Sequence, residues 1–171
     1  MRAALAVLAV VPVVAGCAEA RALPCRDLPG TAVRILPSPH IAYAGTSHAP
    51  YSSSPPTSGP HVPFTVAPGV YREPLARELQ VHALEHGHVL VQYPVEIAGA
   101  GRRDVEDSAR RHVRDVIVAP SKDVARGVVL TGWGRIERLP AYDSARVDAF
   151  VLAFAGRYVH GWRHGARLCG S

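Results

Sequence analysis

His82 and His86 lie four residues apart, with Glu85 between them. On an α-helix that spacing stacks two side chains on one face, one turn apart, so both imidazoles can reach a single metal ion. The carboxylate of Glu85 adds an oxygen donor or a base beside them. A third histidine, His61, follows a stretch dense in proline and serine, Tyr51-Ser52-Ser53-Ser54-Pro55-Pro56-Thr57-Ser58-Gly59-Pro60. Nine histidines in 171 residues make chemistry of this kind plausible at the level of composition. The competing use of the same residues is structural. Buried imidazoles need hydrogen-bond partners, and Tyr51, Tyr71, Thr57, Ser58 or the loop carbonyls are candidates.

The elements that must position these groups can be read from the pattern around them. Residues 74–86 suit a helix: Pro74 fits a first turn, and Leu75, Leu79, His82 and His86 share a face. Gly87 is placed to stop it. Residues 88–95 read as a buried strand, 102–114 as a charged surface helix and 116–119 as a short strand. Residues 127–136 read as one further strand, and 143–157 as an amphipathic helix with Val147, Phe150, Val151 and Phe154 on one stripe. Residues 158–163 suit a last strand. The order β-α-β-β-α-β fits a ferredoxin-like split βαβ unit. The expected fold is therefore α+β: one domain, a small mixed or antiparallel sheet with helices on one face, and a Pro-rich N-terminal loop region. Residues 31–70 read as ordered loop and short extended pieces, since proline blocks helix and weakens ladders. The densest part, residues 51–61, could by composition alone be a flexible linker.

Two resemblances bear on the histidines. The string His82-Ala83-Leu84-Glu85-His86 is similar to the H-x-x-E-H pattern of inverted zinc peptidases, in which the histidines hold zinc and the glutamate activates water. Such an enzyme also needs a third protein ligand and a substrate cleft, and the sequence identifies neither. The second resemblance is longer. Pro55-Pro56-Thr57-Ser58-Gly59-Pro60-His61, Val81-His82-Ala83-Leu84-Glu85-His86-Gly87 and Leu130-Thr131-Gly132-Trp133-Gly134 together resemble the ordered motifs of the domain of unknown function 3105 family. The similarity covers roughly residues 38–157. It departs at Ala83, where the family often has Asn, and at His88, where Gly is frequent.

That resemblance implies a bacterial protein exposed on, or anchored to, the cell envelope, and no established activity. It also implies that the Pro-rich stretch is an ordered wall rather than a linker. His61 could then fold back onto the face of His82 and His86, and His40 stands where the family often has a histidine before the loop. The candidate ligand set becomes His40, His61, His82 and His86, with Glu85 beside them. His160 and His164 are also four apart. Gly161 interrupts them in an extended segment, where residues four apart are separated by roughly 13 Å, so they read as surface.

The N-terminus bears on location. Arg2 precedes an unbroken small-apolar run, Ala3 to Val14, that as a helix reaches only about 18 Å. A bilayer core is about 30 Å thick, so the run is too short to span it and reads as a secretory signal. Val14-Ala15-Gly16-Cys17 resembles the lipobox of bacterial lipoproteins, in which the cysteine is acylated. The expected organisation is a signal peptide over residues 1–16, a lipidated Cys17, a tether over 17–30 and a domain over 31–171. The expected partner is a membrane, through the lipid, with any protein partner unknown. Cys25 and Cys169 would remain in an oxidising compartment, where pairing is the default. The net charge is +5, with scattered arginines and Lys122 as the sole lysine. No basic stripe interleaved with aromatics is present, so nucleic acid is not an expected partner.

Donor chemistry narrows the ion. Met1 is the only methionine and leaves with the signal, which removes thioether ligands from the mature chain. If the two remaining cysteines pair, thiolates are removed as well. Imidazole with carboxylate suits zinc or Cu(II). Three readings follow: a metal-binding module, a structural or interaction module with histidines as internal fixtures, and a zinc hydrolase with Glu85 as base.

Overall fold

The computed structural model describes residues 27–97 and 99–158. The expected signal peptide, Cys17, Cys25, Cys169, His160, His164 and almost all of the expected last strand lie outside the described residues. Leu28, in the expected tether, is already buried in the core.

Two short apolar runs organise the sheet. β3 (Val89–Pro94) and β4 (Val116–Ser121) are buried at nearly every position. A strand without polar alternation needs cover on both faces. The cover comes from α2 (Gly99–Arg111) and α3 (Ser144–Phe154) on one side and α1 (Arg77–Glu85) on the other. Val89, Val91 and Tyr93 point into a core with Val105, Ala109, Val147 and Phe150. The alternate residue Leu90 packs with Ile117 against Ala83 and Leu84 of α1. The expectation of helices on one face is thus corrected: α1 takes the opposite face, because the central strands have two apolar faces to bury.

β5 (Val128–Gly132) and β6 (Arg135–Leu139) form a hairpin, and two-residue strands β1 (Thr31–Ala32) and β2 (Gly69–Val70) edge the sheet. The strand order is β1-β6-β5-β3-β4-β2. β3 and β4 are parallel neighbours joined through α2, β2 runs parallel to β4, and the β3-β5, β5-β6 and β6-β1 pairs are antiparallel. This is a single α+β domain on an open mixed sheet. The ferredoxin-like reading is not followed, because a split βαβ unit would insert a strand between β3 and β4. Residues 127–136 are not one strand either. Trp133 and Gly134 turn the chain, with Gly134 at φ 66°, and an added Cβ there would come within 2.9 Å of the Ile35 side chain.

Helix boundaries follow local chemistry. α1 starts at Arg77, three residues after Pro74, with Ala76 at the N-cap and no side-chain cap. It ends at Glu85, with His86 as C-cap, and Gly87 at φ 83° reverses the chain as expected. At α3 the Asp143 carboxylate accepts the Arg146 N–H at 3.1 Å, an ordinary N-cap.

The Pro-rich stretch is an ordered wall. Residues 55–59 are buried. The Leu36 N–H donates to Ser58 Oγ at 3.0 Å, and the Gly59 N–H to Ser38 Oγ at 3.2 Å. The Tyr51 hydroxyl donates to the Pro60 carbonyl at 2.8 Å. The Gly134 N–H donates to the Thr57 carbonyl at 3.1 Å, so the loop is tied to the β5-β6 turn. The three sequence motifs therefore meet in space.

Candidate metal centre

Two backbone segments and one helix build the site. Residues near His40 run parallel to residues near His61 as an isolated bridge. The His61 N–H donates to the Pro39 carbonyl at 3.1 Å, and the Ile41 N–H to the His61 carbonyl at 2.8 Å. This pairing sets His40 and His61 side by side, with ring centroids 4.9 Å apart. α1 carries His82 and Glu85 beneath them. The His61 and His82 rings meet edge to face at 4.9 Å, and His40 lies over His82 at 5.5 Å, nearly parallel.

One donor atom from each of His40, His61, His82 and Glu85 lies within 4.8 Å of all the others. His61, His82 and Glu85 are buried, and His40 is exposed. Ligands sharing one zinc ion at about 2.0–2.1 Å sit about 3–4 Å from each other, so a spread of up to 4.8 Å is only a little wider than an ion would set.

The ring orientations are set by carbonyls. A carbonyl can only accept, so the nitrogen facing it carries the proton. His82 Nδ1–H donates to the Val62 carbonyl at 2.6 Å, and His61 Nδ1–H to the Gly59 carbonyl at 3.0 Å. In the neutral rings both Nε2 atoms then keep their lone pairs. Hydrogen bonds of this kind fix tautomer and orientation in metal-binding histidines. Burial pushes the His82 pKa below its ordinary value. The nearby His61 and His86 push the same way, outweighing the Val62 carbonyl and Glu85. His82 is thus held in its neutral, ligating form.

His61 Nε2 is the most telling atom. It is fully buried and lies 3.1 Å from Glu85 Oε2, yet the contact lacks hydrogen-bond geometry, and this nitrogen has no hydrogen-bond partner. We therefore read the contact as convergence of two donor groups rather than as a formed hydrogen bond. An imidazole nitrogen buried beside a carboxylate without a well-made bond is costly unless a cation or proton sits between them.

His86 stands at the edge. Its Nε2 is 2.8 Å from His82 Nε2, with the rings stacked at 4.6 Å, but it is not one of the four mutually close donors. His88 points elsewhere, into a small pocket with Leu84, Gly87, Trp133, Phe154, Arg157 and Tyr158. The hydroxyls of Tyr51, Tyr71 and Ser58, candidates to fix the histidines, bond to the Pro60 carbonyl, the Ala67 carbonyl and the Leu36 N–H. The groups that fix the rings are the Gly59 and Val62 carbonyls. No sequence signal marks a carbonyl in advance, apart from the glycine that lets the chain turn there.

Fold and site together define an α+β domain with a histidine-carboxylate cluster where a Pro-rich loop crosses a helix end. The profile of a family described as a protein of unknown function, DUF3105, matches residues 44–166, and the chain belongs to that family. No curated protein and no solved structure matches the chain.

Proposed function

We propose that this is an envelope-anchored domain that binds one divalent cation, zinc or Cu(II), through His40, His61 and His82 with Glu85. The observation that carries the reading is the buried His61 Nε2, which lies 3.1 Å from the Glu85 carboxylate with its other nitrogen bonded to a carbonyl. A neutral His61 would leave two electron-rich atoms close together in a buried site. A bound cation turns that repulsion into coordination. Three imidazoles and one carboxylate match the preference of zinc and Cu(II) for such donors. The anchor reading rests on the signal-like N-terminus and Cys17. Among the described residues, no helix is long and apolar enough to cross a membrane.

A second reading has its own support. A protonated His61 paired with Glu85 would pin the Pro-rich loop to α1, leaving the histidines as structural fixtures. The hydrolase reading is less favoured. The Glu85 carboxylate stands among the donors, where it would ligate, rather than behind a bound water.

The test is metal analysis of the full chain, purified without a histidine tag and dialysed against zinc or Cu(II). One equivalent is expected in the wild type, with loss in folded His61→Ala and His82→Ala. No retained metal, or unchanged stoichiometry in both variants, contradicts metal binding and leaves the fixture reading.

A further inference from the structure

The cluster holds more donors than one tetrahedral ion uses, and they are graded by depth. His61 is fully buried, and His82 and Glu85 are nearly so. His40 is exposed and His86 half-buried. His82 belongs to both levels. One of its ring nitrogens lies within 4.8 Å of a donor atom from each of His40, His61 and Glu85, and its Nε2 is 2.8 Å from His86 Nε2. Two nitrogens sharing an ion at about 2.0–2.1 Å stand roughly 3–3.4 Å apart, so the His82-His86 pair is already close to a bridging geometry.

We infer that His86 is an exchange ligand through which the bound cation leaves for, or arrives from, an acceptor carrying its own imidazole or carboxylate donors. This inference rests on the metal-binding reading above. A structural zinc site is closed, with four protein ligands and no spare donor. Here a fifth donor, the half-buried His86 imidazole, borders the site beside His82. An ion held by His61, Glu85 and His82 can take His86 as it releases a buried ligand. It then stands on His82 and the half-buried His86, nearer to solvent than at His61, and never becomes fully hydrated. The barrier to transfer falls because each bond broken is matched by one formed. The site thus delivers its ion rather than keeping it.

The experiment is zinc exchange from the loaded full chain to the chromogenic chelator 4-(2-pyridylazo)resorcinol, followed by stopped flow. Bound zinc is measured before mixing. Wild-type transfer is expected to accelerate with chelator concentration, the mark of ligand-by-ligand exchange. His86→Ala is expected to retain one equivalent of zinc but to transfer it at least about tenfold more slowly, roughly 1.4 kcal/mol in the barrier. His86→Asn, which can still cap the helix end, guards against misfolding and should behave likewise. Wild-type transfer rates in both variants overturn the inference. So does loss of zinc at equilibrium in both, which would make His86 a resident ligand. A wild type that holds no zinc before mixing overturns the underlying metal reading instead.

Discussion

At Gly59 the backbone takes φ 126°, and an added Cβ would stand 2.9 Å from the Tyr51 ring. The same residue supplies the carbonyl that orients His61. Gly59→Ala combines an unfavourable conformation with a steric overlap. It should destabilise the protein by about 1–3 kcal/mol in urea denaturation. It should also weaken zinc binding, because the carbonyl that sets the His61 tautomer moves. Wild-type stability and affinity in this variant would show that neither constraint operates. The chemistry of His61 follows from similar local facts: one nitrogen committed to a carbonyl, the other buried against a carboxylate. None of this depends on histidine content as such.

Between elements, Asp123 acts as a clamp. Its carboxylate accepts from Arg77 of α1, with Nε at 2.9 Å, and hydrogen-bonds Ser54 of the Pro-rich loop. The Arg77 hydrogen bond is the largest influence and, with Ser54, Arg77 and Arg138, outweighs burial. The folded-state pKa therefore lies below the ordinary 3.8. A depressed carboxylate pKa favours the folded state at all pH values above the unfolded value, and that contribution fades as pH falls through the folded value. The stability difference between wild type and Asp123→Asn should be constant from neutrality to about pH 5 and shrink below about pH 4. A difference that persists unchanged at pH 3 contradicts the clamp.

The same scale shows what the sequence disclosed. α1, its Gly87 stop, β3 and α3 were legible because apolar spacing and terminal residues act locally. The β5-β6 turn was missed because Trp133-Gly134 sits inside an apolar run, and only the positive φ of Gly134 reveals the reversal. The side taken by α1 depends on which sheet face α2 and α3 leave open, which is a property of packing. His82 and Glu85 were legible as donors because residue type and helical spacing carry that information, whereas His40, and the folding of His61 onto their face, came only from the family resemblance. The parallel bridge that sets His40 beside His61 was not legible, because residues so far apart in sequence leave no periodic trace.

For the whole molecule, the site joins the Pro-rich wall to the sheet through α1, so a bound ion should stabilise the fold globally. A ligand that binds only the folded state at a hundred times its Kd contributes about 2.7 kcal/mol. For a domain of this size that corresponds to a rise of about 5–10 °C in the unfolding midpoint. Zinc or Cu(II) should raise the wild-type midpoint by this amount and leave that of His61→Ala unmoved. An equal rise in both would place the ion elsewhere on the chain.

The most direct measurement is zinc K-edge X-ray absorption on the zinc-loaded full chain. The account predicts a first shell of nitrogen and oxygen at about 2.0–2.1 Å, outer-shell scattering from at least two imidazoles, and no sulfur at about 2.3 Å. A shell of oxygen alone, without imidazole scattering, or a sulfur-containing shell, would contradict it.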